Sequence, residues 1–230
     1  MAGRGKYFEL LDFPKFAYPT VVGMDTVQTS YNIQERLASG GFMSYSMIWP
    51  RLKHIVAGLA DEAFFTSQFS AYPEDWKNEA IRDVARELST YFGGRGRWYP
   101  HSTRPRKVLG FWFKPSIKGI WYFAGQPYAV LINARKHQRL FPEHVRFLAR
   151  GVHELHCIDD PADPIPLIVD VSEPALDEGR KVRPYVVRPE DAISFEEFDA
   201  SVRQFLTALQ MAGVALPTDP GESVIDLFKR

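Results

Sequence analysis

The run Gly93-Gly94-Arg95-Gly96-Arg97-Trp98-Tyr99, continuing through His101, Arg104, Arg106 and Lys107, gathers residue types that bind anions. Glycine lets backbone amides approach a phosphate, arginine grips it with paired hydrogen bonds, and a Trp or Tyr ring stacks on a base or sugar. The same residues also read as a helix stop, arginines paired with the acidic C-terminal third, and Trp98 in the core. A second basic group, Asn133, Arg135, Lys136, His137 and Arg139, follows a predicted strand. It extends the positive surface if the strand ends and the glycine loop converge, and otherwise solubilises a turn. Both groups lie in one segment: the 55 residues from Leu88 to Pro142 hold no Asp or Glu, ten Lys/Arg and twelve Phe/Tyr/Trp.

The totals hide that segregation, because the 230 residues carry 28 basic and 28 acidic side chains. Without the ten central cations, 18 basic residues face 28 acidic ones over the other 175 positions, so a basic side and an acidic side are expected. A basic, ring-rich surface suits an anionic partner that itself contains rings.

Residues suited to metal or acid-base chemistry occur elsewhere. His153-Glu154-Leu155-His156-Cys157, with Asp159, Asp160 and Asp163 behind it, puts two imidazoles three residues apart on one predicted helical face. The spacing is one residue short of the metalloprotease His-Glu-x-x-His pattern. The plainer reading is a helix end, with the histidines on the last carbonyls and Cys157 packed as a small apolar group. Asp170 ends a predicted strand, where open sheets often place functional groups and where turn residues are also common. No Gly-x-Ser-x-Gly, Walker A or dinucleotide fingerprint is present, so no catalytic residue, metal or cofactor is assigned. Cys157 is the only cysteine, which excludes an intrachain disulfide and a cysteine-based zinc module.

The elements that must position these residues emerge from periodicity. Helices are predicted over Thr29 to Leu37, over Met47 to Leu59 with Pro50 in the first turn or at a kink, and from Pro73 to Gly93-Gly94 with Trp76, Ala80, Ile81, Val84, Leu88 and Tyr91 as one stripe. Val108 to Phe113, Ile120 to Phe123 and Tyr128 to Ile132 read as an antiparallel three-strand meander. A helix from Pro142, a buried strand over Ile165 to Val171, a short strand at Pro184 to Val187 and a helix capped by Ser194 and Glu197 complete the chain. The expected fold is α+β or α/β: one core with a three-strand meander and a fourth strand, flanked by four to five helices. It spans 1–230 as a single domain, with a possible division into a mainly helical 1–92 and a mixed 93–230. No segment resembles a signal peptide or a membrane span, so a cytoplasmic, membrane-free protein is expected.

The order helix, three strands, helix, strand from Pro73 to Val171 resembles the core of restriction-endonuclease-like nucleases. Their active strand carries an acidic residue, one spacer and a lysine, and the resemblance puts Asn133 and Arg135 of Ile132-Asn133-Ala134-Arg135 at those positions. Such nucleases hold a further aspartate on the preceding strand, near Lys118 to Trp121 here, and no carboxylate exists there. Amide and guanidinium do not replace metal-binding carboxylates, so the resemblance implies a copy that does not cut by that mechanism. The leading expectation is a non-catalytic nucleic-acid- or polyanion-binding protein. Its expected contacts are Arg95, Arg97, Trp98, Arg104, Arg106, Lys107, Arg135, Lys136 and Arg139, and its acidic C-terminal side is free to meet a protein partner. A metal-dependent hydrolase of a phosphate-containing substrate and a protein-interaction module are the alternatives.

Overall fold

Branched and aromatic residues between Ile117 and Ile132 form the middle of a five-stranded sheet, buried by helices on both faces except toward its outer end, where Tyr122 and Phe123 are exposed. The computed structural model describes residues 10, 11, 13, 26–38, 44–101, 106–108, 111–113, 116–135, 139–173 and 179–214, with backbone alone at 36, 37, 106–108, 111 and 112. In chain order the elements are α1 (Thr26–Ala38), α2 (Leu52–Val56), α3 (Glu62–Gln68), α4 (Asp75–Phe92), β1 (Arg97–Tyr99), β2 (Arg106–Val108), β3 (Phe111–Phe113), β4 (Ile117–Phe123), β5 (Gln126–Asn133), α5 (Pro142–Val152), β6 (Ile165–Asp170), β7 (Arg183–Val186) and α6 (Phe195–Met211). The fold class is α+β.

The main sheet has the order β1-β4-β5-β6-β7. β1, β4 and β5 form an antiparallel meander, β6 runs parallel to β5 after the α5 crossover, and β7 returns antiparallel. Ala124 and Gly125, both at positive φ, make the two-residue turn from β4 to β5 that matches the twist of the flanking strands. Alternation along β5 then divides the core. Ala129 and Leu131 join Ile33 of α1, Phe147 of α5 and Phe198 of α6 on one face. Val130 and Ile132 join Leu52, Phe65, Val84 and Leu88 of α2, α3 and α4 on the other.

Local chemistry sets the helix ends. Ser194 Oγ accepts from Glu197 N while Glu197 Oε2 accepts from Ser194 N, so two otherwise unpaired amides at the start of α6 are satisfied reciprocally. After Val152, α5 widens into a π-helical turn, His153–Cys157, in which Ile158 N donates to His153 O.

Several expectations are corrected. Val108 to Phe113 is not one strand of the meander: β2 and β3 pair with each other as a separate hairpin. The meander begins instead with β1, in the expected glycine loop, and β4 starts at Ile117, three residues before the expected Ile120. The helix expected over Met47 to Leu59 breaks into a 3-10 turn, Trp49–Arg51, and the short α2, ending before an exposed Leu59. α3 has no counterpart among the predicted helices, and with it there are six α-helices among the described residues. Trp76 lies outside the buried stripe of α4, at 63% exposure. No described helix is long and apolar enough to cross a membrane.

Candidate nucleic-acid interface

The glycine loop is built for chain reversal. Gly93 N donates to Ser89 O at 2.8 Å, Gly94 N to Val56 O at 3.0 Å and Arg95 N to Phe92 O at 2.9 Å, so these three amides already have partners inside the protein. The expected phosphate cradle of backbone N–H groups is therefore corrected: the loop docks α4 against the end of α2. Gly96 sits at φ +71° with its α-carbon against the backbone of β4, where a Cβ would run into Tyr122 O. That close approach places Arg97 in register with Tyr122.

Strand alternation sorts the side chains of β1. Trp98 is 7% exposed and packs at a ring distance of 6.1 Å from Phe92, on the α4 side of the sheet. Its ring belongs to the core and offers no open face to a base. Arg97 and Tyr99 point to the opposite face, and both are exposed. Tyr122, directly across from Arg97 on β4, shares that face at 36% exposure. The Tyr99 and Tyr122 rings meet edge to face at 5.3 Å and 76°. Arg95, also exposed, precedes them, and its carbonyl accepts from Trp121 Nε1 at 2.7 Å. The exposed cation and the exposed rings thus occupy adjacent positions on the outer end of the sheet. Tyr99 belongs to the motif visible in the sequence. Tyr122 does not, although the β4–β5 turn and the outward phase one residue after Trp121 are signals that could have found it.

The second basic group lies elsewhere. Arg97 pairs with Tyr122, and Tyr122 pairs with Pro127 at the start of β5, whereas Asn133 ends β5 six residues later. At ~3.3 Å per residue the two groups sit ~20 Å apart along the strands, so they do not converge. Arg135 is half-buried and donates from Nη1 to Leu11 O at 3.1 Å, while Arg139 is exposed. The Arg106 and Lys107 side chains, and all of Arg104 and Lys136, fall outside the described residues, as does His137.

The ends of β5 and β6 are locked internally. Asp170, fully buried, accepts from Asn133 Nδ2 at 3.0 Å, Ser172 N at 3.0 Å and Leu140 N at 3.2 Å, with Arg183 Nη1 at 3.7 Å. Arg180 Nη1 donates to both Ala134 O and Val171 O, and its Nη2 donates to Tyr45 Oη at 2.6 Å. Burial raises the Tyr45 phenol above its ordinary value, against the opposing pull of Arg180. This corner is a clasp joining two parallel strands.

The histidines separate. His156 is buried and its Nδ1 lies 3.3 Å from His101 Nε2, whereas His153 Nδ1 lies 3.4 Å from Glu154 Oε1. The expected shared face is lost because the π-turn rotates the two residues apart. Among the described residues no group of three or more His, Cys, Asp or Glu is placed to hold a metal ion.

Neither a protein-family model nor a curated protein matches this chain. The character of the site therefore rests on its own geometry.

Proposed function

We propose that this protein binds nucleic acid, or a comparable polyanion, through the exposed face of β1 and β4. The observation that carries the reading is the pairing of Arg97 with Tyr122 across the two strands, with Tyr99 against Tyr122 at 5.3 Å. A guanidinium neutralises phosphate while phenol rings stack on bases, and both face solvent here. Arg95, two residues earlier, is also exposed, and its charge acts on Tyr91 of α4. Trp98 serves by filling the opposite face and holding β1 flat on α4.

The binding is proposed to be non-catalytic. The chain order from α4 is β1, the separate β2–β3 hairpin, β4, β5, α5 and β6, and the resemblance to a restriction-endonuclease-like core is proposed on the meander of β1, β4 and β5, the crossover helix and the parallel strand alone. Where such a nuclease needs an acidic residue and a lysine, Asn133 bonds Asp170 and Arg135 bonds a main-chain carbonyl. The one fully buried carboxylate among the described residues, Asp170, already has donors on both oxygens.

The test is fluorescence anisotropy of a labelled oligonucleotide with the full chain. Binding at about 50 mM salt that weakens steeply by about 200 mM is expected, because each phosphate contact releases counterions. Arg97→Ala should weaken binding and flatten the salt slope by about one contact. Folded protein that binds nothing at low salt overturns the reading.

A further inference from the structure

We infer that the ligand of the β1–β4 face is an unpaired strand, held by splayed bases on Tyr99 and Tyr122, and that this face discriminates against duplex. The inference rests on the nucleic-acid reading above and adds the ligand's form.

The angle between the two rings carries it. Tyr99 and Tyr122 stand at 76° to one another with centroids 5.3 Å apart. A base stacked on each ring would lie parallel to that ring's plane, so two such bases would be nearly perpendicular. Bases within a duplex are parallel and ~3.4 Å apart, with their faces already covered by neighbours. A duplex would have to be unstacked to use both rings, whereas an unpaired strand turns its bases freely about its backbone.

The surroundings fit the same ligand. The exposed rings stand on a sheet surface whose β1 strand is three residues long. Arg97 lies directly across from Tyr122, so a phosphate bonded to Arg97 is joined through one sugar to a base over the Tyr122 ring.

The experiment compares a labelled oligothymidylate with a mixed-sequence duplex of equal length, each titrated with the full chain at low salt. The single strand should bind at least about 10-fold more tightly, and Tyr99→Ala and Tyr122→Ala should each weaken it about 10-fold, the usual scale for losing one stacked base. Tyr99→Phe should keep the affinity, since stacking needs the ring and not the hydroxyl. Duplex binding should depend on Arg97 and hardly on either tyrosine. The wild-type ratio of single strand to duplex decides the matter even if a tyrosine variant fails to fold. Equal or tighter duplex binding, or single-strand binding indifferent to both rings, overturns the inference while leaving a polyanion-binding surface. Binding to neither oligonucleotide removes the underlying reading with it.

Discussion

Asn133 and Asp170, 37 residues apart in sequence, end the parallel strands β5 and β6 in direct register, and the Asn133 amide donates to the Asp170 carboxylate at 3.0 Å. An amide suits a buried carboxyl group, since it supplies a donor and brings no charge of its own. The neighbouring amides of Ser172 and Leu140 complete the shell around the carboxylate.

Asn133→Asp tests that relationship. It replaces a donor with a second carboxylate ~3 Å from the first, and like charges at that distance cannot both ionise readily. One carboxyl of the pair then holds its proton to a higher pH in the folded state than in the unfolded chain. The folded state binds more protons, so the variant loses stability as pH rises above the ordinary carboxylate range and regains it on acidification. Urea unfolding at pH 5 and pH 8 should show a wider gap from wild type at pH 8, about 2 kcal/mol or more. A gap that does not change with pH would mean that the two side chains are not in contact.

The glycines of the β1 approach make a second, purely steric test. Gly94 and Gly96 share positive φ, +69° and +71°, but a Cβ on Gly94 meets nothing within 4 Å while one on Gly96 collides with the β4 backbone. Gly94→Ala should cost only the left-handed penalty of about 1–2 kcal/mol. Gly96→Ala adds displacement of β1 from β4 and should also weaken oligonucleotide binding, because Arg97 loses its register with Tyr122. Thermal melts and anisotropy on the two variants give the comparison, and equal effects would contradict the close approach.

How far these residues are legible in the sequence depends on whether their partners are local. The start of α6 is readable because Ser194 and Glu197 satisfy each other three residues apart, and the stop of α4 because two glycines follow an apolar stripe. Trp76 looks like part of that stripe by composition, yet it precedes Ile81 by five residues, a turn of ~140° around a 3.6-residue helix, which puts it on the solvent side. β1 is not readable: three residues in a glycine- and arginine-rich stretch have no period of their own, and only pairing with β4, more than 20 residues away, makes them a strand. The basic groups are visible as composition, but their separation to opposite ends of β5 is a property of register alone.

Cys157 should be chemically silent. It is buried in the π-turn, its thiol donates to Val152 O at 3.6 Å, and burial first, then Asp160, Asp163 and Glu154, push its pKa up to about 12. Thiolate is the reactive form, so native protein at pH 8 should react with a disulfide reagent only as fast as it unfolds. Adding denaturant should release one equivalent of fast-reacting thiol. Rapid labelling of native protein would place Cys157 at the surface.

Trp98 and Arg97, adjacent in β1, should separate folding from binding. Trp98 closes the sheet on Phe92, and its indole covers Gly119, where an added Cβ would come within 2.5 Å of the ring. Trp98→Ala therefore opens a cavity between β1, β4 and α4 and should destabilise by about 3–5 kcal/mol. Arg97 is exposed on the other face, where a surface substitution usually changes stability by no more than about 0.5 kcal/mol. Arg97→Ala should melt like wild type and yet bind a labelled single strand more weakly, with a salt dependence shallower by about one contact. Trp98→Ala should lose binding only in proportion to the unfolded fraction, returning to wild-type affinity when the folded population is corrected for. If Arg97→Ala unfolds the protein while Trp98→Ala stays folded and loses binding, β1 faces the other way and the interface lies on the α4 side.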